Sequence, residues 1–266
     1  MPKFAVPEIL REDRFDEAVD RINYYYTERT TKGRKLYSGS LFDEFAPEQN
    51  PEDTFTAADF LATGLLGVHV PGEAIVKFFT DTELMTELER HLRDLPADID
   101  LGDLNKPEFD RLLGSTESPG FMLWDLIRGR RVVRKKKGTD HVGMGPTLTS
   151  KLLARKRPRL IPIWDSRIRR QVQLPDSGDH WEGMWHALTD DNCQLNRRLT
   201  ELRGNSGQVQ ISLLRTFDVA AWHFDKDGKW SRRLTSDESE PADDDGKVGD
   251  AADTVDDAPF VKSPQE

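Results

Sequence analysis

One cysteine, Cys193, stands among 266 residues. It excludes an internal disulfide and cannot by itself hold an iron–sulfur cluster. Long apolar runs are missing as well, none approaching the roughly 20 residues of a membrane-spanning helix. The opening MPKFAVPEILREDRFDEAVD has no apolar core of the signal-peptide kind. The six histidines, at 69, 91, 141, 180, 186 and 223, show no His-x-x-x-His spacing. A cytoplasmic protein with no metal, no cofactor and no membrane partner is expected. Apolar–polar alternation of period two is nearly absent, so few strands are expected.

Aromatic residues are plentiful: six Trp and thirteen Phe argue for a packed core despite a mean hydropathy of −0.67. The net charge of −10 is unevenly spread. Residues 236–266 hold 11 acidic and 2 basic side chains, a net of −9, which leaves about −1 for the preceding 235 residues. Within those, residues 128–170 carry 15 Lys/Arg against Asp140 and Asp165. The acidic stretch is too poor in apolar residues to offset its ordering entropy and is expected to be a disordered tail. Residues 1–235 are expected to form one domain.

Helical periodicity runs through that domain. Phe15, Val19, Ile22 and Tyr26 share a face of a helix starting near Asp13, and residues 31–55 form a long connection. Thr56 and Asp59 have capping-box spacing, as do Asp179 and Glu182. Leu84, Leu88 and Leu92 stripe a helix over 82–95, and Ser118-Pro119 suits an N-cap and first turn. Leu195, Leu199 and Leu202 mark a helix ended by Gly204, and a last helix is expected over 208–224. The fold class expected is all-α.

The stretch VGMGPTLTSKLLARKRPRLIPIWDSRIRR, residues 142–170, concentrates the positive charge around one carboxylate. Gly143-Met144-Gly145 suits a tight turn, and Pro146 the first turn of a helix. Leu148, Leu152 and Leu153 then face inward, while Lys151, Arg155 and Lys156 are placed in solvent. Backbone N–H groups at such a turn favour a phosphate. With Arg128, Arg130, Arg131, Arg134, Lys135, Lys136 and Lys137 they form a footprint for a nucleic-acid backbone. Asp165 before Ser-Arg-Ile also fits a helix N-cap, a role compatible with chemistry at its other oxygen.

Gly143-Met144-Gly145-Pro146-Thr147-Leu148-Thr149 resembles the core of a helix-hairpin-helix motif. Ile161 to Arg170, IPIWDSRIRR, resembles the segment carrying the catalytic Asp in helix-hairpin-helix DNA glycosylases. Asp165 follows Gly143 by 22 residues, as in the endonuclease-III-like branch, and Ile168 and Arg170 match its apolar and basic positions. The pattern also resembles uncharacterised bacterial proteins grouped as a domain of unknown function.

The resemblance implies DNA binding through the hairpin, flipping of a damaged base, and hydrolysis of its N-glycosidic bond with Asp165 as the reacting carboxylate. The lysine of bifunctional members falls at Thr147 here, so a monofunctional enzyme is expected. Gly143, Gly145, Thr147, Thr149, Lys151, Arg134 to Lys137, Arg155, Arg167 and Arg170 would bind DNA, with RNA as the alternative. Tyr37, Phe42, Asp43 and Trp164 are candidates for lining a pocket, or for packing alone. Two other readings stand beside the enzyme. His141-Val142 and Ser166-Arg167 depart from the family's pattern, which suits a non-catalytic nucleic-acid-binding module. The basic segment could instead meet an acidic protein partner or the acidic tail.

Overall fold

The computed structural model describes residues 4–130 and 144–226. The basic run 131–137, His141, Gly143, the tail 236–266 and the expected boundary at 235 lie outside the described residues. The helices are α1 (Phe15–Thr27), α2 (Ala57–Leu65), α3 (Gly72–Thr80), α4 (Thr82–Arg93) and α5 (Lys106–Phe109), which runs on as a π-helical turn over Asp110–Gly114. There follow α6 (Pro119–Ile127), α7 (Pro146–Lys156), α8 (Ser166–Val172), α9 (His180–Thr189), α10 (Gln194–Asn205) and α11 (Leu213–Lys226). Among the described residues the only β pairing is one isolated bridge between Arg29 and Lys35. The protein is all-α.

Most boundaries follow local chemistry. Thr56 and Asp59 close the capping box that opens α2, and the Ser118 hydroxyl accepts the Phe121 N–H at the start of α6. Asp179, by contrast, makes no capping bond; its φ of −96° and ψ of 7° leave the extended conformation that a cap uses. The last helix begins at Leu213 rather than 208, because Ser212 caps it by accepting the Arg215 N–H at 3.0 Å. α10 runs one residue past Gly204. α3 has no counterpart among the expected helices; Pro71 is its N-cap and Gly72 its first residue.

α1 packs on α11, α11 on α8 and α10, and α4 on α6, while α7 lies between α2 and α6. One hydrophobic cluster runs from Ile9 to Ala221. Every residue of α7 is buried. That overturns the solvent placement of Lys151, Arg155 and Lys156, and the burial has a direct cause: their charges are taken up inside the protein. Asp59 on α2, fully buried, faces Lys156 Nζ at 2.5 Å and Arg155 Nε at 3.5 Å. Arg155 also donates to the carbonyls of Phe42, Asp43 and Phe45, and Lys156 to Asn50 Oδ1 and the Pro51 carbonyl. Arg157, 1% exposed, donates to the carbonyls of Glu52, Leu92 and Leu95 and to Asp53. Three consecutive cations thus hold the 42–53 connection and the end of α4 onto the centre of the fold.

Candidate functional site

α7 and α8 are joined by residues 157–165, whose last six, Leu160 to Asp165, are all buried. Ser150 on α7 fixes the end of this connection: its Oγ accepts the Trp164 N–H at 2.9 Å and lies 3.1 Å from the Trp164 carbonyl. That clasp delivers Asp165 to the head of α8. Its Oδ1 accepts the N–H groups of Arg167 and Ile168, both at 3.0 Å, so Asp165 is the N-cap of α8. Its Oδ2 lies 3.6 Å from Lys151 Nζ, which also donates to the Leu66 carbonyl at the end of α2. The capping carboxylate therefore keeps one oxygen for the backbone and turns the other toward an ammonium.

Behind this pair lies a buried network that the sequence does not announce. Arg215 on α11 binds Asp43 Oδ2 at 3.0 Å, Asp218, the Gly39 carbonyl and the Tyr25 hydroxyl. Burial pushes the Asp218 carboxyl up to about 6, against the pull of Arg215, and Asp165 adds to the rise. Burial likewise pushes the Tyr25 phenol up to about 12. Tyr25 stacks on Tyr37 with ring centroids 5.0 Å apart, and Tyr37 shares a hydrogen bond with His223 Nε2. Gly39 is needed where it sits, because a Cβ there would overlap the Tyr25 hydroxyl. Gly39→Ala should cost about 1–3 kcal/mol of stability through this overpacking, read as a lower urea midpoint at unchanged slope.

Of the other expected site residues, the structure joins only some to Asp165. Gly145 is the N-cap of α7, with Pro146 at its first position. Thr147 is 9% exposed and Thr149 fully buried with its hydroxyl on the Met144 carbonyl. Thr149 and Arg155 are thus internal, and neither side chain reaches a nucleic-acid backbone from its observed place. Arg167 and Arg170 do lie at the surface, on α8, where both meet Asp225. Arg167 also covers the Trp222 ring at 4.9 Å. Arg169, exposed beside them, pairs with no carboxylate among the described residues.

The pocket candidates separate. Phe42 and Asp43 line a groove of about 600 Å³ that also involves Asn50, Arg159, Arg203 and Val209. Tyr37 and Trp164 do not line it; both pack in the core, Trp164 against His180. His180 donates from Nε2 to the Ile163 carbonyl, and burial lowers its pKa to about 4. Among the described residues no group of three or more His, Cys, Asp or Glu could hold a metal ion. No described helix is long and apolar enough to cross a membrane.

Around Asp165, sequence reading misplaced Lys151 and missed Arg215, Asp218 and Tyr25. Lys151 alone had a usable signal, lying one helical turn after Thr147 and hence on the same face of α7. The model of DUF6308, described as a family of unknown function, matches residues 18–225. No curated protein and no solved structure matches the chain.

Proposed function

The chain belongs to the DUF6308 family, and we propose that it binds DNA and hydrolyses the N-glycosidic bond of a damaged or modified base. The observation that carries this reading is the divided use of Asp165. Oδ1 is held by two amide N–H groups of α8, and Oδ2 is turned away from the backbone toward Lys151. A carboxylate so fixed can stabilise the positive charge that develops on a deoxyribose as its base departs, and can accept a proton from the attacking water. The two hydrogen bonds hold the oxygen in place before the reaction, so little reorganisation is needed when charge appears. Lys151, with its Nζ 3.6 Å from Oδ2, offsets the carboxylate's charge. No lysine stands at 147, in keeping with a monofunctional hydrolase. The start of α7 at Gly145-Pro146 and the arginines of α8 would meet the phosphate backbone.

Base release should be measured from labelled duplexes carrying deaminated, alkylated or oxidised bases, scored by alkaline strand cleavage. Asp165→Asn retains a side chain able to cap α8. It should leave duplex binding within about threefold while lowering release at least about a hundredfold, the scale of losing one fixed electrostatic contact to a transition state. Release unaffected by this change would overturn the role of Asp165.

A specific observation also favours a non-catalytic nucleic-acid-binding module. Asp165 and Lys151 are only 8% and 5% exposed, so a flipped base would reach them only after local opening. Duplex binding without release from any base in the panel would establish that second reading.

A further inference from the structure

The described chain ends at a particular place. α11 packs along α8, and Asp225, one residue before its end, holds Arg170 at 2.6 Å, Gln171 at 3.2 Å and Arg167 at 3.6 Å. Burial opposes ionisation of that carboxyl, yet the hydrogen bonds from Arg170 and Gln171 and the charge of Arg167 hold it below its ordinary pKa. The last turn of α11 therefore lies against the arginine face of α8. Ser166–Val172 contains Arg167, Arg169 and Arg170 and no acidic residue. Among the described residues Asp225 pairs with Arg167 and Arg170, and Arg169 has no carboxylate there.

The sequence that follows fits this face in sign and reach. Residues 227–235 separate α11 from the acidic stretch and span at most about 30 Å when extended. Residues 236–257 then carry Asp237, Glu238, Glu240, Asp243, Asp244, Asp245, Asp250, Asp253, Asp256 and Asp257 against Lys247 alone. A short tether gives such a segment a millimolar effective concentration at the point from which it departs.

We propose that residues 236–257 dock on the α8 face formed by Arg167, Arg169 and Arg170, and so act as a built-in competitor for polyanions at that face. The contact itself is independent of base excision; only its effect on DNA binding rests on the function proposed above. Exposed ion pairs of this kind are individually weak and screened by salt. The segment acts through number and tethering, and displacement by a long nucleic acid needs no change of fold. Binding to the face would be graded by salt and by polymer length.

The contact is read directly in the full-length chain. Cys193→Ser with Ser263→Cys gives one attachment point for a nitroxide label, and amide line broadening then maps where the tail visits. Broadening concentrated on residues 166–171 at 50 mM salt, lost at 500 mM salt and in Arg167→Gln/Arg169→Gln/Arg170→Gln, is the expected result. Broadening spread evenly over the surface, or concentrated elsewhere, would overturn the contact.

A second full-length variant, with the acidic residues of 236–257 changed to Asn or Gln, tests the consequence with a 20-base-pair duplex. It should bind roughly tenfold tighter than the parent at 50 mM salt, with the difference closing as salt rises. Unchanged affinity for a duplex that does bind would overturn the competitor role. Localised broadening with no duplex binding by either chain would support the contact and refute the nucleic-acid reading instead.

Discussion

Asp59→Ala should destabilise the protein by about 3–5 kcal/mol, the range seen when one partner of a buried ion pair is removed. The carboxylate is fully buried between Lys156 at 2.5 Å and Arg155 at 3.5 Å, and its Oδ2 also accepts the Thr56 N–H at 2.8 Å. Its loss leaves two internal cations facing each other and opens the cap of α2. Burial already holds Lys156 and Arg155 below their ordinary pKa values, with Asp59 opposing the shift. Without Asp59, nothing but burial and the neighbouring arginines would act on the lysine, and all of these lower its pKa. Asp59→Asn, which keeps the shape and an acceptor for Thr56, should cost less. A double-mutant cycle with Lys156→Met in urea separates charge coupling from lost packing. Additive changes in the cycle would sink the claim that this pair is a coupled unit.

The second large effect is on the pH dependence of stability. His180 is buried against Trp164 and Phe4, and its Nδ1 has no hydrogen-bond partner among the described residues. With Nε2–H donated to the Ile163 carbonyl, a second proton would have to sit on that unpartnered nitrogen. The folded pKa of about 4 lies below the unfolded value of about 6.5. Between these values the unfolded chain binds more protons, so the contribution of His180 is complete above pH 6.5 and lost as pH falls toward 4. It amounts to about 3 kcal/mol.

Asp218 has the opposite sign, because its folded pKa of about 6 lies above its ordinary value. The native state binds the extra proton, and stability falls as pH rises toward 6. In the wild type the two slopes oppose each other between pH 4 and 6. His180→Gln should therefore flatten or reverse the acid loss of stability, and Asp218→Asn should steepen it. Urea midpoints at pH 4.5, 5.5 and 7.0 measure the difference. Parallel profiles for all three proteins would rule out both groups as the source.

The helices whose apolar residues repeat along one face, α1, α4, α6 and α10, were legible because each obeys a local rule. α7 was not, and the reason is physical. Its pattern of Leu148, Leu152 and Leu153 with Lys151, Arg155 and Lys156 is that of a half-exposed helix, whereas it lies buried on every side. What neutralises Arg155 and Lys156 sits about a hundred residues earlier, at Asp59 and in the carbonyls of residues 42–53. No window of the sequence contains both. Asp165 was legible as a cap, since an Asp opening a helix is a local signal. Its pairing with Lys151 depended on how the 157–165 connection returns over α7. Arg215 and Asp218 are three residues apart and read as an ordinary helix-surface pair; only the burial of α11 turns them into an internal network with Asp43 and Tyr25.

The cations of α7 also bear on how the chain reaches its fold. A helix destined for the middle of a protein is commonly greasy, and before its partners arrive it is the part of the chain most prone to clump. This one instead carries Lys151, Arg155, Lys156 and, just beyond its end, Arg157. The partners of the last three are distant, with Arg155 meeting Phe42 across 113 positions and Arg157 meeting Glu52 across 105. Until those loops close, the charges keep the segment hydrated and mutually repellent. The helix that ends at the centre is thus self-protecting on the way there, and its charge is masked only by the closure of long-range contacts.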